Sequence, residues 1–88
     1  MSRVSADSEA IRNFAKQVKH YIVQQEALIG KLEKQYRATG GQWRDLQYEK
    51  FGESLSDLES SIKRTAPAFY EYARKLEVKA QQIDEYDS

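Results

Sequence analysis

Eleven positions in the second half of this chain follow alternating steps of four and three residues without a slip: Phe51, Leu55, Leu58, Ile62, Thr65, Phe69, Tyr72, Leu76, Lys79, Ile83 and Tyr86. Nine of them are aliphatic or aromatic, and five sustained heptads of this kind specify a long helix with a coiled-coil-like seam. Pro67 falls inside the run, where a proline removes a backbone hydrogen bond and clashes with the preceding turn, at a cost of about 3 kcal/mol. Either the helix breaks there, with Thr65 and Ala66 as a new start, or it kinks and continues. The seam keeps its register across Pro67, which lies on the opposite face, so a kinked, continuous helix is the expectation.

The first half carries a similar pattern after a polar start. Ile11, Phe14, Val18, Tyr21, Leu28 and Leu32 occupy a and d positions, with Gln25 and Gln35 as polar exceptions. Asp7 or Ser5 suits the N-cap, and Glu9 places a negative charge in the first turn, where the helix dipole favours it. Thr39-Gly40-Gly41 ends the pattern, and glycine is the residue that reaches the positive φ values found at helix ends. The spacing therefore predicts a single all-α domain over residues 1–88. Helix one spans about 7–38, a turn 39–43, and helix two about 44–86 with a kink near 67. A connection this short makes the helices antiparallel neighbours. Helix two is the longer, so residues near 77–88 are expected to overhang.

A chain of 88 residues buries only about 60–65% of its unfolded surface, which leaves it marginal without further support. There is no cysteine for disulfides, and the one histidine, His20, makes a structural zinc site unexpected. Self-association is the support that remains. In helix one, Ile22, Ile29 and Tyr36 lie one step beyond the d positions and widen the apolar strip. They are either the flank of the hairpin seam or a second wall, and the second option makes them the interface of a dimer that closes into a four-helix bundle.

Charge and motif content narrow the function. Fourteen basic and fourteen acidic residues cancel, but residues 1–44 carry eight basic and four acidic side chains (net +4), and residues 45–88 carry six and ten (net −4). No block is basic enough for a phosphate-binding face, so nucleic acid is not an expected partner. The opposed halves suit either two segments lying together or two solvated faces. No apolar run approaches the roughly 20 residues needed to cross a bilayer, and no signal-peptide core follows Met1, so membrane insertion and cleaved-signal export are not expected. No nucleophile–base set, phosphate loop, calcium loop or metal-ligand cluster is recognisable, so neither an enzyme nor a cofactor is expected. The six tyrosines and three phenylalanines mostly fall at helical spacing, which points to packing and not to base stacking.

The stretch TGGQWRDLQYEKF, residues 39–51, adds a resemblance. A short chain, two helices, a Trp at the connection and an aromatic eight residues on resemble the WXG superfamily, the small helical-hairpin substrates of type VII secretion. The family's turn reads Trp-x-Gly, and Asp45 in place of the glycine is similar to a Trp-x-Asp variant. The resemblance covers the architecture of nearly the whole chain but only about nine residues in motif. It implies a partner-binding turn of Trp43, Asp45 and Phe51, with Asp45 capping the start of helix two and Trp43 packing across the end of the groove between helices. It implies a homodimer, or a heterodimer with a related hairpin protein, and contact with a secretion ATPase or a toxin. It also implies a chain that is cytoplasmic after synthesis and secreted without a cleaved signal peptide. The family's export signal, Tyr-x-x-x-Asp/Glu, is not matched, since Arg74 follows Tyr70 and Leu76 follows Tyr72 at that spacing. In related pairs one member carries the signal for both. Two other readings stand beside this one. The first is a Trp43 that only staples the turn to the core. The second is a cytoplasmic coiled-coil adaptor or chaperone that binds a partner helix along Ile22, Ile29 and Tyr36.

Overall fold

A computed structural model describes residues 7–87. They form two helices, α1 (Ser8–Thr39) and α2 (Leu46–Asp87), which pack against each other as a helical hairpin. Among the described residues there is no strand, and no helix is long and apolar enough to cross a membrane.

Asp7 caps α1. Its Oδ1 accepts from the backbone N–H groups of Glu9 at 3.0 Å and Ala10 at 3.3 Å, and its carbonyl takes the first helical bond from Ile11. Ser5, the alternative cap, lies outside the described residues. Helix α2 begins two residues later than the spacing suggests, because Asp45 stays outside it as the cap. Pro67 sits inside α2 without a break, so the helix continues through it.

The described residues divide into two compact units, one of residues up to 22 with those from 67 onward and one of residues 23–66, and the boundary on α2 falls at Pro67. In the first unit Ala15, Ile22, Ala73 and Ala80 are buried, with Ile11, Val18, Leu76 and Ile83 half-buried beside them. In the second, Ile29, Tyr48, Leu55 and Ala66 are buried, with Tyr36, Gly52 and Ile62 half-buried.

This corrects the expected seam in both helices. Half of it holds: Ile11, Val18, Leu55, Ile62, Leu76 and Ile83 face inward as expected. The other half moves by one residue, from 14, 21, 28 to 15, 22, 29 and from 51, 58, 72 to 52, 59, 73. Phe14 is left 59% exposed and Tyr72 58% exposed. The physical reason is size. The separation of two packed helices is set by the side chains between them. In the first unit alanines at 15, 73 and 80 line the seam, and the close approach they allow leaves the rings of Phe14 and Tyr72 outside it.

The expected overhang is also corrected. Ala80 has no exposed surface, Glu77 accepts from Lys19 at 2.7 Å, and Asp84 pairs with Arg12. These pairs place α1 opposite α2 as far as Asp84, and beyond that point Tyr86 is exposed.

Candidate functional site

The connection between the helices is built in overlapping turns. Gly40 N–H is shared between the carbonyls of Tyr36 and Arg37, both at 3.2 Å, and the N–H groups of Gln42 and Trp43 return to the Thr39 carbonyl at 2.9 and 3.1 Å. The Thr39 hydroxyl donates back to the Gln35 carbonyl at 2.8 Å. At the far side Asp45 Oδ1 accepts from Tyr48 N–H at 3.0 Å, and its carbonyl accepts from Glu49 N–H at 3.2 Å. The Tyr48 N–H, followed by the Trp43 indole, holds the Asp45 carboxyl below the usual range against the opposing effect of partial burial.

Neither glycine of the turn has a positive φ, so the expected reason for Gly40 and Gly41 does not hold; Gly40 has another, and at Gly41 a Cβ would meet only ordinary contact. A Cβ at Gly40 would collide with the Tyr48 hydroxyl, and a Cβ at Gly52 would collide with that of Tyr36. The two tyrosines form a reciprocal clasp. Tyr36 Oη donates to the Tyr48 carbonyl at 2.7 Å, and Tyr48 Oη donates to the Tyr36 carbonyl at 3.0 Å. Their rings stack at 4.1 Å with 9° between planes.

The sequence carries this device as Tyr-x-x-x-Gly written twice, at 36–40 and 48–52. On a helix, residue i+4 stands over residue i. A glycine there clears the space above the tyrosine's own carbonyl, and the opposing hydroxyl reaches that oxygen's second lone pair. Burial, followed by the neighbouring Tyr48, pushes the Tyr36 hydroxyl above its ordinary value.

The three residues of the expected partner-binding turn join this clasp at its two ends. Trp43 meets Tyr48 edge-on at 5.3 Å and remains 41% exposed. Phe51 meets Tyr36 at 6.0 Å and is also exposed. Arg44 lies over the outer face of the Tyr48 ring, 5.2 Å from its centre. Asp45 acts through the backbone as the cap. An aromatic row, Trp43–Tyr48–Tyr36–Phe51, thus has a fixed middle and two accessible ends. Periodicity singled out Tyr36 and Phe51 but passed over Tyr48, which is only 3% exposed. The repeated Tyr-x-x-x-Gly spacing was the signal that could have found it.

The proposed dimer wall is corrected. Ile22 is 4% exposed and Ile29 7%, each buried inside the hairpin's own units, and Tyr36 is committed to the clasp. These residues close the chain on itself and present no wall. One polar strain sits in the second unit. Partial burial first, then Glu59, push the Glu33 carboxyl above its usual range, and Arg37 and Lys63 only partly offset this. Lys63 pairs with Glu59 at 3.3 Å. His20 is exposed.

No family model, curated protein or solved structure matches this chain.

Proposed function

We propose that the chain is a recognition hairpin of the WXG type, a small secreted or secretion-associated protein that works by binding other proteins. The observation that carries this reading is the Trp43–Asp45 turn. A large indole is held in one geometry by Tyr48 and Asp45, yet keeps two fifths of its surface open. Half-exposed, rigid aromatics are the side chains that dominate protein interfaces. The partners the resemblance implies are a second hairpin, its own copy or a related chain, and a secretion ATPase or toxin that meets the turn. Any such dimer uses a surface other than Ile22 and Ile29.

The test is Trp43→Ala, with thermal stability and capture of a secretion ATPase's cytoplasmic domains measured on the same protein. A recognition residue that is partly exposed should cost about 1 kcal/mol of stability, against about 3–5 kcal/mol for an aromatic packed as a core staple. Lost capture with stability nearly kept supports the reading. Capture and stability both intact overturns it, and heavy destabilisation assigns Trp43 to the scaffold instead.

A further inference from the structure

The first unit has two unlike flanks on either side of its alanine seam. On one, Arg12 pairs with Asp84, and Lys19 with Glu77, each bridging α1 to α2. This flank is closed by its own opposite charges. On the other, Phe14 and Val18 of α1 face Phe69, Tyr72 and Leu76 of α2 across an open groove of about 360 Å³, bordered by Lys75. The groove extends along α1 past Gln17 to Tyr21.

Lys75 is the charged residue in the groove's lining, and the heptad positions that continue this flank along each helix are uneven in charge as well. The heptad positions next to the seam on this side are Ala10, Phe14, Gln17 and Tyr21 in α1, and Ala68, Tyr72, Lys75, Lys79 and Gln82 in α2. Among these helical positions the charges are the two lysines, and Asp7, one heptad before Phe14, is committed to the α1 cap. On α2, Glu71, one turn before Lys75, is held by the Nε and Nη2 of Arg74, at 3.1 and 2.6 Å. Lys79 has no ion pair among the described residues.

We propose that this groove docks one amphipathic helix of another protein, whose apolar stripe is bordered by carboxylates. The apolar walls supply the area, and Lys75 and Lys79 select the flanking charge. From Phe69 to Lys79 the groove side of α2 runs about 15 Å, so the occupant needs about three helical turns. A second copy of this chain is a poor match. The equivalent flank in the second unit (Gln24, Leu28, Lys31 and Gln35 with Phe51, Ser54, Leu58 and Ser61) also carries a lysine and no carboxylate. Either of these flanks of a second copy would set lysine toward lysine, and the flank that carries Glu77 and Asp84 already pairs them with Lys19 and Arg12; like charges brought together without counter-charge oppose association. The inference rests on the reading of the chain as a recognition module, but not on the Trp43 turn.

The experiment uses the full chain and two synthetic 21-residue helices with the same leucine stripe, one flanked by glutamates and one by lysines. Calorimetric titration should show one Glu-flanked helix bound per chain, at least about tenfold tighter than the Lys-flanked one. Phe14→Glu, with its helicity confirmed by circular dichroism, should abolish binding. The double variant Lys75→Glu/Lys79→Glu should reverse the preference between the two peptides. Trp43→Ala should bind as the parent does, which separates failure here from failure at the turn. Equal affinity for the two peptides, no binding of either, or sedimentation of the chain as a dimer that shields the groove would each overturn the proposal.

Discussion

Gly52→Ala is the substitution in which two effects of known size have opposite signs. In an unobstructed helix interior, alanine is more favourable than glycine by about 1 kcal/mol. Gly30, with open space where a Cβ would go, should therefore gain about that much as Gly30→Ala. At Gly52 the new methyl meets the Tyr36 hydroxyl, and overpacking of this kind costs about 1–3 kcal/mol, so the net change should be destabilising. Denaturant titration checks both signs, and Tyr36→Phe should relieve only part of the Gly52→Ala loss, because the ring carbon beneath the hydroxyl also crowds the new methyl. The charged residues give a second, pH-dependent pair. Glu33 has a raised pKa in the fold, so its contribution is fully present below its unfolded value near 4.5 and is lost as pH rises through the folded value. Glu33→Gln should therefore raise the melting temperature at pH 7 and do little at pH 3. Asp45 has a lowered pKa, so its cap is stabilising above about 3.8 and fails as pH falls through the folded value. The loss caused by Asp45→Ala should accordingly be large at pH 7 and shrink toward pH 2.

At the scale of the helices, the alanine seam sets how closely α1 and α2 approach. Ala73→Leu, at a position with no exposed surface, should force them apart and lower stability by about 1–3 kcal/mol or more in chemical denaturation, although leucine is a good helix former. Pro67→Ala should act in the opposite sense. The helix already runs through residue 67 and the ring faces outward, so relief of the backbone clash should raise the denaturation midpoint. Helix type, the Asp7 and Asp45 caps and passage through Pro67 were legible in the sequence, because propensity and local side-chain oxygens decide them. The facing of each helix was not. An apolar strip three positions wide contains two possible seams, and hydrophobicity ranks Phe14 above Ala15 and Tyr72 above Ala73. Packing ranks them the other way, since only the small residues let two backbones come close. Tyr48 was missed for a related reason, as its burial depends on the space left by Gly40, just past the end of α1, and not on its neighbours within α2.

For the whole molecule, the same chemical change should read differently on the two sides of that choice. Ile22→Glu buries an uncompensated charge in the chain's own core and should unfold the hairpin, while Phe14→Glu, on an exposed ring, should leave the melting curve nearly unchanged. Circular dichroism on the pair distinguishes them directly. The tyrosine clasp has a further consequence, for the order in which the chain folds. Its hydrogen bonds join residues twelve apart, whereas the Arg12–Asp84 pair joins residues seventy-two apart. Closing the longer loop costs about 1.6 kcal/mol more in chain entropy. Native contacts should therefore form first between Tyr36 and Tyr48 and spread toward the termini. In stopped-flow chevrons, Tyr48→Phe should mainly slow refolding, while Ala73→Gly should mainly speed unfolding. The end that holds Trp43 would then be the first part of the protein to acquire its native shape, before the distant ends of the chain have met.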